Sequence, residues 1–316
     1  MKIVVTGALG HIGSRLIREL PGSFPGAEIP LIDNLLTQRY CSLFGLNQAG
    51  GRYRFIEADV LKVPLAPIIA GASAVVHLAA ITDAASTFDK KELVEEVNHR
   101  GAEIVARACV AAGVPLLALS TTSVYGSQAD LVDETCAESE LQPQSPYAES
   151  KLKMEKMLAG LRQREGLRFV VCRFGTIFGV SPGMRFHTAV NKFIWQACLG
   201  QPISVWRTAL HQQRPYLDLG DACRAIAHIL RQDLFDGGTY NVLTLNATVN
   251  DIVEAIRVRR PDLQVQLVDS PIMNQLSYKV SGDKFRRTGF ACTGDLAAAV
   301  RETIDWLDLT PAGGKK

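Results

Sequence analysis

The sequence predicts a doubly wound parallel α/β sheet carrying a smaller mixed α/β cap. Two observations predict it. Short, almost wholly apolar runs alternate with longer helical patterns through the first 175 residues, and a glycine triplet (Gly7, Gly10, Gly13) stands at the first strand–helix junction. Strands covered on both faces lose the polar alternation of half-exposed ones, which is the pattern here. The strand candidates are 3–5, 29–32, 53–57, 74–78, 115–120 and 169–174, and the clearest helices between them are 91–112 and 147–164. Strand–helix alternation of this kind builds a parallel sheet with helices on both faces.

After Gly175 the pattern loosens. A loop at 179–183 precedes a helix expected at 187–199 and a strand at 203–206. A further helix follows Asp218, then a strand at 239–243 and amphipathic helices at 248–260 and 294–307. The expected division is a main domain of residues 1–175 with returning segments at about 214–245, and a cap of about 176–213 and 246–316. The stretch from Thr310 onward reads as a frayed end.

Composition narrows the function. The chain has 316 residues, 47% of them hydrophobic, and a net charge of +2 with its basic residues scattered, so no nucleic-acid partner is expected. Seven cysteines lie far apart without metal or redox spacing, which points to a reducing cytoplasm and to no metal site. Met1-Lys2 leads straight into the first strand, so no signal peptide is expected. No apolar run approaches the roughly 20 residues of a membrane span.

The glycine spacing suits a dinucleotide. Gly7 permits a sharp turn, Gly10 lets backbone approach a pyrophosphate, and Gly13 allows close helix–strand packing. The helix opening at His11 and Ile12 then offers free N–H groups and a partial positive charge. Asp33, at the end of the second strand, is placed to accept hydrogen bonds from the adenosine ribose and to repel a 2′-phosphate, or else opens a turn with Asn34. NAD is thus the expected cofactor, with nearby Arg39 keeping NADP in question. Asp59 and Val60 stand where adenine would lie, or in an ordinary loop.

Tyr147 and Lys151 lie four apart on a helix and so share a face. A free phenol has a pKa near 10 and needs help to act as a base at neutral pH. An ammonium at roughly 4 Å supplies up to about 4 kcal/mol at an effective dielectric near 20, a ceiling of about 3 pKa units. Upstream, the hydroxyl-rich run 119–126 ends a strand at the carboxyl edge, where ligands of parallel sheets bind.

Together these motifs resemble the extended short-chain dehydrogenases/reductases, specifically the NAD-dependent nucleotide-sugar epimerase/dehydratase group, a Rossmann-fold family. The resemblance runs through 6–13, Val75-Val76-His77-Leu78-Ala79-Ala80, Asn98, 121–126, Tyr147/Lys151, 173–179, Arg214-Pro215-Tyr216-Leu217-Asp218, 238–242 and Asp283-Lys284. It implies Thr121 as the catalytic hydroxyl, Tyr147 as acid/base, and Lys151 on the nicotinamide ribose. It places Leu78, Ala79, Ala80 and Asn98 beside the cofactor, Asn98 as a helix-kinking residue. Thr122, Ser123, Thr176, His187 and Arg214 become the expected substrate contacts, Arg214 gripping a diphosphate or else lying in a surface salt bridge. A homodimer is also implied, paired through helices 91–112 and 147–164.

The resemblance also bears on the reaction. Dehydratases and decarboxylases of the group place carboxylates directly after the catalytic threonine; Thr122 and Ser123 are not carboxylates. What remains is oxidation and re-reduction of one sugar carbon, C4, on a nucleotide-linked sugar. A sugar reductase, an unusual dehydratase and a non-catalytic nucleotide sensor are the alternatives. Departures from the pattern are Thr176 in place of the usual Asn, 207–213 in place of a Gly-rich turn, and Asn274, Gln275 and Tyr278 where a second arginine is expected. His187 is either a second acid/base or a plain helix-start histidine.

Overall fold

The computed structural model describes residues 1–82, 89–126, 131–269 and 277–308. Its main sheet is built from β1 (Ile3–Thr6), β2 (Glu28–Asp33), β3 (Arg52–Glu57), β4 (Ala74–His77) and β5 (Leu116–Thr121). After the short β6 (Leu131–Val132), β7 (Phe169–Phe174) continues it. Next come β8 (Thr176–Phe178), β9 (Ile203–Trp206) and β10 (Gln213–Asp218), and β11 (Thr239–Val242) returns to complete seven strands in the order β11-β7-β5-β4-β1-β2-β3. Every pairing in this sheet is parallel. The chain reverses its winding direction between β1 and β4, and the crevice over that point is where such sheets take ligands.

Strand period decides which helices cover which face. Ile3, Val5, Leu117 and Leu119 point into one core with Leu16, Ile17 and Leu20 of α1 (His11–Ser23). Val4, Leu116 and Ala118 point into the other. The second core takes Ile69 of α2 (Ala66–Ile69) and, beyond α3 (Lys91–Val94), Val105 and Cys109 of α4 (Gly101–Ala112). It also takes Met154, Leu158 and Leu161 of α5 (Pro146–Glu165).

Two helices differ from expectation. The one expected at 91–112 is interrupted by a π-helical turn at Glu95–Arg100, which carries the fully buried Asn98. Asn98 spends its amide on the Ile81 backbone and on Ser150, and such bonds to other elements accompany a locally widened turn. The helix expected from His187, α6 (Ala189–Cys198), starts later: Thr188 is extended, and its hydroxyl donates to Ile177 O at 3.5 Å.

The rest forms the smaller layer. β10 pairs parallel with β8 and antiparallel with β12 (Leu245–Thr248). Of the returning stretch at about 214–245, β11 therefore joins the main sheet while 213–218 belongs with the small one; between them α7 (Leu219–Gln232) covers the first core. β9 pairs with β13 (Val265–Val268), and β6 with β14 (Lys279–Val280). α8 (Val249–Arg257), α6 and α10 (Leu296–Leu307) pack with β8, β9, β10, β12 and β13 into a separate apolar cluster. Val132 and Val280 of β6 and β14 join a smaller one with Tyr125 and Tyr278, and the one-turn α9 (Asp283–Arg286) buries Phe285 in the first core. The stretch from Thr310 lies outside the described residues, as do Asn274 and Gln275.

Candidate active site

The dinucleotide cradle is made by backbone. Gly7 has φ +64, and a Cβ there would lie 2.5 Å from Ala79 N; one on Gly13 would lie 2.5 Å from Gly7 O. Both positions exclude any side chain. No side chain caps α1, so its first-turn amides at His11, Ile12 and Gly13 face the space before Gly10. Asp33 fixes the turn that follows β2: its Oδ2 accepts from Leu9 N–H and its Oδ1 from Leu35 N–H, both at 3.0 Å. Each oxygen keeps a lone pair for a ribose hydroxyl. Asn34 closes a turn of its own by accepting from Leu36 N–H. These groups fit a dinucleotide: an uncapped helix end for the pyrophosphate and a carboxylate for the ribose.

Several expected cofactor contacts support this cradle from behind. The His11 ring is 3% exposed and turned toward the cap, with Nδ1 at 2.7 Å from Ser181 Oγ and Nε2 at 3.4 Å from Asn191 Nδ2. Burial, and then the nearby Arg185, hold it well below the usual histidine range, so it stays neutral. Asp59 accepts from Leu61 N–H, and Val60 is buried in the second core. Leu78 N–H donates to Thr6 O, and Ala79 and Ala80 follow half-buried along the crevice. Asn98 ties this segment, through Ile81, to Ser150 of α5.

Thr121 ends β5, and its Oγ1 accepts from Ser123 N–H at 3.1 Å. The Tyr147 hydroxyl hydrogen-bonds Thr121; burial pushes the phenol up, while Arg185 and that hydrogen bond pull it down. Lys151 lies one turn on, 3% exposed, its pKa lowered by burial to about 8 against the pull of Glu155. Ser145 sets this helix in place by capping it with a bond from Ala148 N–H, and Pro146 occupies the first turn where its missing N–H costs nothing.

The structure joins Tyr147 to Thr121 by a hydrogen bond and buries Lys151 one helical turn on, and it adds two features the sequence did not disclose. Burial leaves the phenol above its ordinary value, and the cation that works against it is Arg185, from the loop before α6, whose guanidinium also donates to Thr82. Beneath the site, Glu155 takes a bidentate Arg173, at 2.6 Å on its closer side, and the Ser120 hydroxyl at 2.5 Å. Arg173 reaches on to Tyr125 Oη and thence to Asn241. Glu155 follows Tyr147 and Lys151 at the same four-residue step, the one signal that would have found it.

On the substrate side the expected contacts divide. Thr122 is buried and its hydroxyl donates to Phe174 O at 3.3 Å, while Ser123 is exposed. Thr176 opens β8 half-buried, and His187 is exposed in the loop ahead of α6. The Arg214 guanidinium lies 5.0 Å over the ring of Tyr278, whose hydroxyl donates to Thr122 O at 3.1 Å. Arg214 Nη2 is buried with no partner, as are the side-chain oxygens of Gln212 and Gln213. A hollow of about 350 Å³ lined by Gln213, Ser277, Tyr278 and Lys279 lies alongside. No cluster of His, Cys, Asp and Glu able to hold a metal occurs among the described residues, and no helix among them is long and apolar enough to cross a membrane.

A seven-stranded parallel sheet, an uncapped glycine-loop helix after its first strand, and a tyrosine hydrogen-bonded to Thr121 one turn ahead of a buried lysine set the class, that of the extended short-chain dehydrogenases/reductases. Within it, the chain belongs to the NAD dependent epimerase/dehydratase family, whose model matches residues 3–242. NAD is the family's cofactor. Among curated proteins, it is 25% identical over 322 residues to a trifunctional UDP-glucose 4,6-dehydratase/3,5-epimerase/reductase of Arabidopsis thaliana, covering 98% of this chain. The chain spans about half of that relative, 47% of its length. It is 28% identical over 262 residues to an uncharacterised UDP-glucose epimerase of Bacillus subtilis, covering 77% of this chain and 76% of the other. The UDP-glucuronic acid 4-epimerase of Bacillus cereus, solved with UDP-glucuronic acid and NAD, has the same fold: TM-score 0.87 at 22% identity, over 97% of this chain and 99% of that one.

Proposed function

We propose that this protein is an NAD-dependent epimerase that inverts C4 of a nucleotide-linked sugar through a transient 4-keto sugar. The observation that carries the reading is what surrounds the tyrosine. The turn after Thr121 offers hydroxyls at Thr122 and Ser123 but no carboxylate, and the acid on the catalytic helix face, Glu155, is already engaged by Arg173 and Ser120. Loss of water from a sugar needs a further acid and base beside the ring, and these residues supply neither. Relatives named as 4-epimerases accord with this.

In this reading Tyr147 takes the C4 hydroxyl proton and returns it to the same oxygen after the keto sugar has turned its other face toward the cofactor, with Thr121 holding that oxygen. Lys151 positions the ribose of the cofactor; its pKa of about 8 leaves it mostly charged at neutral pH. NAD, held by the glycine loop, Asp33 and Lys151, would supply the acceptor and then the donor of the C4 hydride. Arg214, with its unpartnered Nη2, takes the diphosphate, and the side-chain oxygens of Gln212 and Gln213 wait for the nucleotide beside it. Residues 1–175 and the β11 return hold the cofactor, and about 176–213 and 246–316 hold the sugar nucleotide.

The test is a panel of UDP- and dTDP-sugars incubated with the NAD-loaded protein, with products assigned by NMR. A C4 epimer without net NADH is expected, and Tyr147→Phe should slow it about 10²–10⁴-fold with NAD still bound. Net NADH, or a 6-deoxy-4-keto product, would overturn the reading. The same proposal carries a cytoplasmic location, supported by seven free cysteines, and a homodimer through the helices at 91–112 and 147–164. Disulfides in protein isolated from its cells would remove the first, and a monomeric mass in light scattering the second.

A further inference from the structure

Between β2 and β3 the chain folds over the glycine loop by an uncommon route. Leu35 and Gln38, neither of them glycine, take left-handed φ values of 54 and 52. Such a conformation costs a side-chain-bearing residue roughly 1 kcal/mol or more, so two in one short segment have to be held by their surroundings. What holds them is on both sides. Leu35 N–H donates to Asp33, Gln38 N–H donates to Leu35 O at 2.8 Å, and the Ser42 hydroxyl donates to Leu9 O at 2.8 Å, inside the glycine loop itself. Cys41 Sγ donates to Pro182 O at 3.2 Å, tying the segment to the cap as well.

The residue delivered between these anchors is Arg39. Its Nη1 lies 3.9 Å from where a Cβ on Gly10 would stand, directly before the amide-lined end of α1. Partial burial lowers its pKa, and the nearby Asp33 carboxylate works against that. The guanidinium thus sits on the phosphate side of Asp33 rather than beyond it, where an adenosine 2′-phosphate would project.

We propose that Arg39 is a cofactor-positioning residue that grips the pyrophosphate of NAD, supplying the positive charge that the glycine loop itself lacks. The assignment rests on the family's NAD dependence and adds to it a residue outside the glycine motif. A planar guanidinium engages two phosphate oxygens at once, which a lone helix end does not. The left-handed turns at Leu35 and Gln38 are then the conformations needed to bring that group back over Gly10.

Calorimetric titration of the full chain with NAD, ADP, adenosine and NADP separates the outcomes. Arg39→Gln should weaken ADP and NAD about tenfold or more and leave adenosine within about twofold, and Arg39→Lys, which keeps a point charge, should fall between. Both wild type and variants should bind NADP more weakly than NAD. Equal losses for adenosine and ADP would assign Arg39 to the adenine instead. A loss confined to NADP would assign it to a 2′-phosphate, and unchanged affinities would make it a solvent-side arginine; each overturns the proposal. If wild type binds neither NAD nor ADP, the NAD reading itself fails, separately from the role of Arg39.

Discussion

The two halves of the crevice are prepared for their ligands in opposite ways. On the cofactor side the glycines leave space and the uncapped end of α1 offers backbone N–H groups, while the polar side chains are already satisfied: Asp33 is bonded through both oxygens, Asp59 to Leu61 N–H, and Asn98 to Ile81 and Ser150. On the substrate side the groups are side chains, and Gln212, Gln213 and Arg214 each hold a buried polar atom without a partner. An unsatisfied buried group costs on the order of 1–3 kcal/mol, so such a cluster is expected where a ligand completes the set. The comparison teaches that a site for an invariant cofactor can be built into the fold, while a site for a particular sugar nucleotide is left to side chains.

The largest effect expected from this contrast is on the cofactor side. Gly7→Ala pushes a Cβ to 2.5 Å from Ala79 N at a left-handed φ, so the first turn has to move. The variant should lose at least about 3 kcal/mol of stability, read from urea midpoints, and its NAD affinity with it. A variant as stable as wild type would break the comparison.

Arg214→Met sharpens it from the other side. Removing a charge-assisted contact should raise the Kd of the nucleotide sugar about 10- to 100-fold. Stability in the absence of ligand should be unchanged or slightly higher, because an unpartnered guanidinium atom leaves the interior. A large loss of stability with unchanged binding would make Arg214 a structural residue stacked on Tyr278.

The smallest effect concerns the one imidazole buried in the main sheet. His77 Nδ1 lies 2.7 Å from Thr6 Oγ1, its Nε2 has no partner, and burial lowers its pKa to about 3 with a further push from Lys151. Because the folded pKa is below the unfolded value of 6.5, the unfolded chain alone binds the proton as pH falls. The stability from a neutral His77 is complete above that value and declines toward pH 3. Between about pH 7 and pH 5.5 the loss attributable to it should be roughly 1 kcal/mol. His77→Asn, which keeps a partner for Thr6, should flatten that part of the urea-midpoint profile; an unchanged slope would assign the acid sensitivity elsewhere.

The legible parts of the molecule follow the same divide. β1, β2, β4, β5 and β7 lie within a residue or two of the apolar runs, because a strand buried on both faces has no other composition open to it. Thr121, Tyr147 and Lys151 were readable because they are close in sequence or end a strand. Arg185 was not, since its loop reaches the tyrosine through packing between segments 38 residues apart in numbering, and nothing local marks it. The inward turn of His11 was equally hidden: Ser181 and Asn191, its partners, lie 170 and 180 residues away. The late start of α6 and the π-helical turn share that cause, both being set by hydrogen bonds from other elements rather than by helical periodicity.

The buried ring of His11 has a mechanical consequence. With Ser181 and Asn191 bonded to it, and Gly183 N–H donating to Ser14 Oγ at 2.9 Å, the base of the cap is bolted to the first turn of α1. Parting these two layers at that edge has to break all three bonds, so the first turn of α1 and the segment from Ser181 to Asn191 are tied to move as one piece.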